Sequence, residues 1–195
     1  MESISLENFR ELQSAGVQVI DSRPTVLFSE KHIRGTIGIS INGSFEYMAN
    51  VIFEKTEKLI LISLSERLSE SFLRLEAEGF TDVVYFDISL WFEAGLDSSL
   101  VSRVSASSAS KYLEKIVDVS NSEDWEVLHV KGVSNVPLVD IVKNPSKIRQ
   151  DSVLYCGNGH KSMAAVSYLL TKNIITTDIT GGLSAMLVDS PDLEI

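Results

Sequence analysis

The sequence predicts an α/β protein built as two tandem copies of one small domain, each a small parallel sheet flanked by helices. Three observations predict it. Short apolar, β-prone runs alternate with segments of helical period, the pattern of strands joined by crossover helices. The stretch Val19-Ile-Asp-Ser-Arg23 returns as Ile116-Val-Asp-Val-Ser120, and His32-Ile-Arg-Gly35 returns as His129-Val-Lys-Gly132. The spacing repeats as well: His32 follows Asp21 by 11 residues (32 − 21), and His129 follows Asp118 by the same step (129 − 118).

Taken in order, residues 5–16 read as a helix with Ser5 as N-cap, Leu6, Phe9 and Leu12 facing inward, and Gly16 as the stop. Val17-Gln-Val-Ile20 is a strand ending at Asp21-Ser-Arg-Pro24, and residues 32–41 hold a turn and a short strand. A helix over 45–53 leads to the buried-type strand Lys58-Leu-Ile-Leu-Ile-Ser63. Ser69 to Glu78 is helical and stopped by Gly79, Val83-Val-Tyr-Phe86 is a strand, and Ile88 to Ala94 is a short helix. The serine-rich interval 97–110 reads as a linker running into a helix, which places a domain boundary near residue 102. The expected domains are therefore 1–101 and 102–195. In the second, Ser152-Val-Leu-Tyr155 reads as a buried strand, Val153-Leu-Tyr-Cys156 parallels Leu59-Ile-Leu-Ile62, and a helix carries Met163, Ala164, Ala165, Val166, Leu169 and Leu170.

Composition excludes several classes. Of 195 residues, 44% are hydrophobic and 23% charged, as in an ordinary globular protein. A formal net charge of −10 argues against a nucleic-acid or anionic-membrane partner. No apolar run approaches the roughly 20 residues that a membrane helix requires. The opening Met1-Glu-Ser-Ile-Ser-Leu-Glu7 has neither a basic nor an apolar segment of a signal peptide, and a single cysteine forms no internal disulfide, so a cytoplasmic location is expected. Three histidines and one cysteine, scattered along the chain, give no metal-ligand spacing, and neither a metal nor a cofactor is expected.

The chemistry concentrates in Cys156-Gly-Asn-Gly-His-Lys-Ser162, where a strand gives way to a glycine-bearing loop at a helix N-terminus. Gly157 and Gly159 let the loop curl so that backbone N–H groups point at one spot. Those donors, the helix dipole and the Lys161 ammonium favour a thiolate, and equally an anion bound beside it. A lone cysteine is otherwise a small buried hydrophobe, and the residues alone leave both readings open. In the first copy the cysteine position falls on Ile62 or Ser63, so only the second copy carries a thiol.

These residues resemble the rhodanese family, and the likeness runs along essentially the whole chain. The first copy, with Val19-Ile-Asp-Ser-Arg23 and Phe28-Ser-Glu-Lys-His-Ile-Arg-Gly-Thr-Ile-Gly-Ile-Ser-Ile41, is similar to the family's Asp-x-Arg strand end and the turn that follows it. The second matches more closely at His129-Val-Lys-Gly-Val-Ser-Asn-Val-Pro-Leu138; Cys156 to Lys161 resembles the six-residue Cys-x-x-Gly-x-Arg loop, and Gly181-Gly182 the glycine pair after the last strand. Ile41-Asn-Gly-Ser-Phe45 and the inactive-then-active order resemble the rhodanese pair that follows a metallo-β-lactamase domain in persulfide dioxygenase fusions. Such a domain, fused or as a partner, is the implied companion, and the chain is then a stand-alone relative or the C-terminal part of a longer protein.

The resemblance implies a sulfurtransferase. Cys156 takes sulfane sulfur from thiosulfate or a persulfide donor and passes it to a thiol or cyanide. Gly157, Asn158, Gly159, His160 and Lys161 are the implied substrate-binding residues, their amides stabilising the anionic persulfide. Lys161 stands where the family has arginine and keeps the charge without the bidentate fork. Ser120 likewise replaces the arginine that Arg23 retains. Asp118, His32 and His129 read as structural hydrogen-bonding residues, His160 as a loop side chain facing solvent, and Trp91 and Trp125 as packing residues. A non-catalytic interaction module is the competing reading. A cysteine phosphatase is disfavoured, since its loop is one residue longer and closed by arginine, whereas position 162 is serine.

Overall fold

Leu59-Ile-Leu-Ile62, buried along its whole length, forms the centre of a parallel sheet. A strand covered on both faces carries such a continuous apolar run. The computed structural model describes residues 2–195 and divides into two units, Met1–Leu100 and Val101–Ile195.

The first unit runs β1 (Glu2–Ser3), α1 (Leu6–Ser14), β2 (Gln18–Asp21), α2 (Thr25–Glu30), β3 (Ile37–Gly38), α3 (Phe45–Ile52), β4 (Leu59–Ile62), α4 (Leu68–Ala77), β5 (Val83–Tyr85) and α5 (Ile88–Glu93). Its sheet has the order β1-β5-β4-β2-β3, with every pairing parallel. The Ser5 side chain caps α1 by accepting from the Asn8 amide, which leaves Phe9 buried and stacked on Phe86 with ring centroids 4.1 Å apart. Two elements lie outside the sequence expectation. β1 is a two-residue edge strand, and α2 is six residues long with Val26 and Leu27 exposed, so neither carries a readable period.

The second unit runs β6 (Arg103–Val104), β7 (Ile116–Asp118), α6 (Ser122–Val127), β8 (Ser134–Asn135), α7 (Leu138–Lys143), β9 (Val153–Tyr155), α8 (His160–Thr171), β10 (Thr177–Ile179) and α9 (Gly182–Asp189). Its sheet order is β6-β10-β9-β7-β8, again all parallel. With each unit's strands counted in chain order, both sheets read first, fifth, fourth, second, third. The serine-rich interval is more than a linker, because Arg103 pairs with Asp178 and makes it the edge strand of this sheet. The helix expected after it is a 3-10 segment, Ala106–Lys115, whose opening serines bond to one another through Ser105 Oγ rather than supporting an α-helical turn.

The registers settle which residue of the first unit corresponds to Cys156. Asp21 lies opposite Ile62 and Asp118 opposite Tyr155, so the residue after each central strand is Ser63 in one unit and Cys156 in the other.

Candidate functional site around Cys156

β9 ends at the C-terminal edge of its sheet, where parallel α/β sheets place their ligand sites, and Cys156 is the next residue. Gly159, at φ +86°, is the N-cap of α8, so the chain turns from strand to helix within four residues. That tight turn puts the sulfur over the first turn of the helix. The amide of Ser162, third residue of α8, donates to Cys156 Sγ at 3.4 Å, and the sulfur stands 3.8 Å from the Ser162 hydroxyl. The first amides of any helix lack an intrahelical acceptor. Here the sulfur takes one of them, at the end where the helix dipole favours negative charge. Cys156 is 1% exposed, and its buried sulfur meets both the amide and the hydroxyl of Ser162.

The loop is closed from behind by Gly181 and Gly182. Leu183 donates its amide to the Cys156 carbonyl at 2.8 Å, and Ser184 donates both amide and hydroxyl to the Gly157 carbonyl at 2.9 Å. A Cβ on Gly182 would fall 2.1 Å from the Cys156 oxygen, so the two backbones approach as only glycine permits.

Beneath the sulfur lies a buried polar chain. Ser162 Oγ donates to Asp178 Oδ1 at 2.6 Å, and Arg103 Nε donates to Asp178 Oδ2 at 2.9 Å. Burial pushes the Asp178 carboxyl up from an ordinary 3.8 to about 6, opposed by the Ser162 hydrogen bond and the Arg103 charge. The folded state thus holds this proton more tightly than the unfolded chain does. The resulting stabilisation, about 3 kcal/mol, is complete below pH ~4 and is lost as pH rises through about 6. The denaturant midpoint of the second unit, followed by Trp125 fluorescence in a Trp91→Phe background, is expected to fall between pH 4.5 and 7 by more in the wild type than in Asp178→Asn. Equal falls would refute this assignment.

The expected site residues fare differently. Gly157, Asn158 and Gly159 form the loop, but the amide that reaches the sulfur belongs to Ser162, just beyond the expected span of 157–161. Lys161 is half-buried and its ammonium donates to Asp124 Oδ2 at 2.8 Å, so part of its charge is spent on α6. His160 is half-buried rather than facing solvent. Its Nδ1 is buried without a hydrogen-bond partner, and burial holds its pKa below the ordinary value. Asp118 accepts from the Ser120 amide at 2.7 Å and from the Tyr155 hydroxyl, bracing the end of β7. His32 and His129 each bond through Nδ1 to a carbonyl four residues back, Phe28 at 3.0 Å and Trp125 at 2.7 Å, and each stacks on that ring. Ser162, Asp178 and Arg103 were not singled out as site residues. Ser162 adjoins the loop in sequence, but nothing local marks the other two. Among the described residues no group of His, Cys, Asp and Glu could hold a metal ion, and no helix is long and apolar enough to cross a membrane.

A parallel sheet with a cysteine at the tip of its central strand, on a loop feeding a helix, defines a cysteine-loop α/β domain. Residues 102–187, within the second unit, match the family model of the rhodanese-like domain. No curated protein sequence matches the chain. Among solved structures, the chain is similar to a thiosulfate sulfurtransferase from Pseudomonas aeruginosa, at 15% identity over 100% of this chain and 43% of that one, TM-score 0.46. It is also similar to a rhodanese-related protein from Thermoplasma volcanium, at 15% identity over 48% of this chain and 97% of that one, TM-score 0.44. A rhodanese-like domain protein from Staphylococcus aureus is 22% identical over 49% of this chain and 98% of that one, TM-score 0.42.

Proposed function

We propose that the second unit is a sulfurtransferase in which Cys156 carries sulfane sulfur as a persulfide, and that the first is a non-catalytic copy of the same domain. The observation that carries the reading is the sulfur's position on the N-terminal turn of α8, where the Ser162 amide meets it in a loop of the matched family. The Cys156 thiolate attacks the outer sulfur of the donor. A new S–S bond forms as the donor's own S–S bond breaks, and the electron pair leaves with sulfite when the donor is thiosulfate. A thiol or cyanide then attacks the outer sulfur and releases the Cys156 thiolate. Lys161, tied to Asp124, gives a single ammonium in place of a guanidinium fork, so sulfonate docking is less exacting. The resemblance to persulfide dioxygenase fusions makes a small-molecule persulfide the donor to compare with thiosulfate. In the first unit Ser63 at the cysteine position faces the Ser71 hydroxyl at 3.1 Å, a pair that cannot carry sulfur.

The test is the intact mass after incubation with thiosulfate and, separately, glutathione persulfide. The expected result is a gain of one sulfur atom in the wild type and none in Cys156→Ala. An unmodified wild-type mass with both donors would leave the 1% exposed thiol as a packing residue, and the non-catalytic module as the correct reading.

A further inference from the structure

Cys156, Ser162 and Asp178 form a continuous hydrogen-bonded line out of the candidate site to the buried strand β10. The sulfur is 3.8 Å from Ser162 Oγ, and that hydroxyl donates to Asp178 Oδ1 at 2.6 Å. Asp178 has no exposed surface, and Ser162 has none either. We propose that Asp178 is the proton acceptor for Cys156, reached through the Ser162 hydroxyl. It acts through another side chain and is thus a positioning residue. Its use rests on the sulfur-transfer reading; its test does not.

The transfer balances within three side chains. The Cys156 S–H bond breaks as its proton joins Ser162 Oγ. The original Ser162 hydroxyl proton passes to Asp178 Oδ1, leaving a carboxylic acid. The net charge of the buried group is unchanged, so no ion is created without a counterpart in a poorly solvated place. Afterwards the direction of the line reverses: Asp178 donates to Ser162, and Ser162 donates to the thiolate, adding a second hydrogen bond to that from its own amide. Charged and titratable groups stand at both ends of the line, and Lys161, next to Ser162 in the chain, donates to Asp124. Arg103 from β6 holds the second oxygen of Asp178 at 2.9 Å and keeps its first oxygen turned to Ser162. On the sulfur's side are Tyr155, whose phenol is pushed well above its ordinary value by burial, and His160, held in its neutral form by the same cause. A carboxyl with an affinity near pH 6 is matched to a proton that must leave a thiol at neutral pH.

The line predicts coupled titration, in which two sites share one proton over a range of pH. With one cysteine in the chain, the ultraviolet thiolate absorbance of the wild type minus that of Cys156→Ala reports Cys156 alone and needs no reagent to reach the sulfur. The expected curve has two steps. The first follows the titration of Asp178, near pH 6, and the second lies above it. Asp178→Asn removes the acceptor and Ser162→Ala cuts the line, and each is expected to leave a single step. A single-step wild-type curve overturns the proposal without any further variant. So does a first step surviving in Ser162→Ala or in Asp178→Asn. Two steps in a protein that takes no sulfur from any donor would uphold the proton line while removing the sulfurtransferase.

Discussion

Gly182→Ala is expected to abolish sulfur loading of Cys156 and to lower the stability of the second unit by about 3–5 kcal/mol. Two costs combine. The residue sits at φ +60°, where a side chain costs roughly 1–2 kcal/mol. Its Cβ would also lie 2.1 Å from the Cys156 oxygen and 2.9 Å from the Gly159 nitrogen. Both neighbours are backbone atoms of the loop itself, so relief of the overlap must displace the loop and with it the turn that presents the sulfur to Ser162. Gly181→Ala gives a useful contrast. It also has positive φ, +76°, but its Cβ would meet the Cβ of Ala185 at 2.7 Å. A side-chain overlap can be relieved by trimming the partner. Gly181→Ala combined with Ala185→Gly should therefore recover part of the lost loading, whereas no single side-chain change rescues Gly182→Ala. Mass after donor treatment and denaturant midpoints check both; wild-type loading in Gly182→Ala would show that the loop is not held by this contact.

How far the site was legible follows from the range of each interaction. The strand, the glycine loop and the helix after it lie in one stretch of sequence, and local pattern suffices to expect them. Which amide meets the sulfur depends on the turn of backbone at Gly159, and Ser162, one residue past 157–161, supplies it. The Asp178–Arg103 pair joins residues 75 apart across a strand pairing that neither segment announces, and a two-residue edge strand leaves no period to read. The ammonium of Lys161 donates to Asp124 on α6, a contact between residues 37 apart that the loop's own sequence does not show. The repeat was legible through its aspartates and histidines, yet only the strand registers decide between Ile62 and Ser63.

The same repeat sets up the largest expected effect in the first unit. Arg23 and Asp21 are both buried, at 6% and 0% exposure, and the guanidinium takes both carboxylate oxygens through Nε and Nη2, with Nη2 also donating to the Lys31 carbonyl at 2.9 Å. In the second unit Ser120 replaces this arginine. Asp118 instead accepts from the Ser120 amide and the Tyr155 hydroxyl, while Asn135 donates to the Asp118 and Ser120 carbonyls. The second unit holds its strand end with neutral groups; the first relies on an ion pair. Arg23→Ala therefore leaves a fully buried carboxylate with only its own loop amide at 3.1 Å, and should destabilise the first unit by about 3–5 kcal/mol. Removing both charges, as Asp21→Asn with Arg23→Met, should cost distinctly less, because a buried pair owes much of its apparent strength to the penalty on whichever ion is left alone. Denaturant unfolding followed by Trp91 fluorescence, in a Trp125→Phe background, measures the two variants against each other. A double variant as unstable as Arg23→Ala would mean that the shape of the arginine, rather than its charge, holds this strand end.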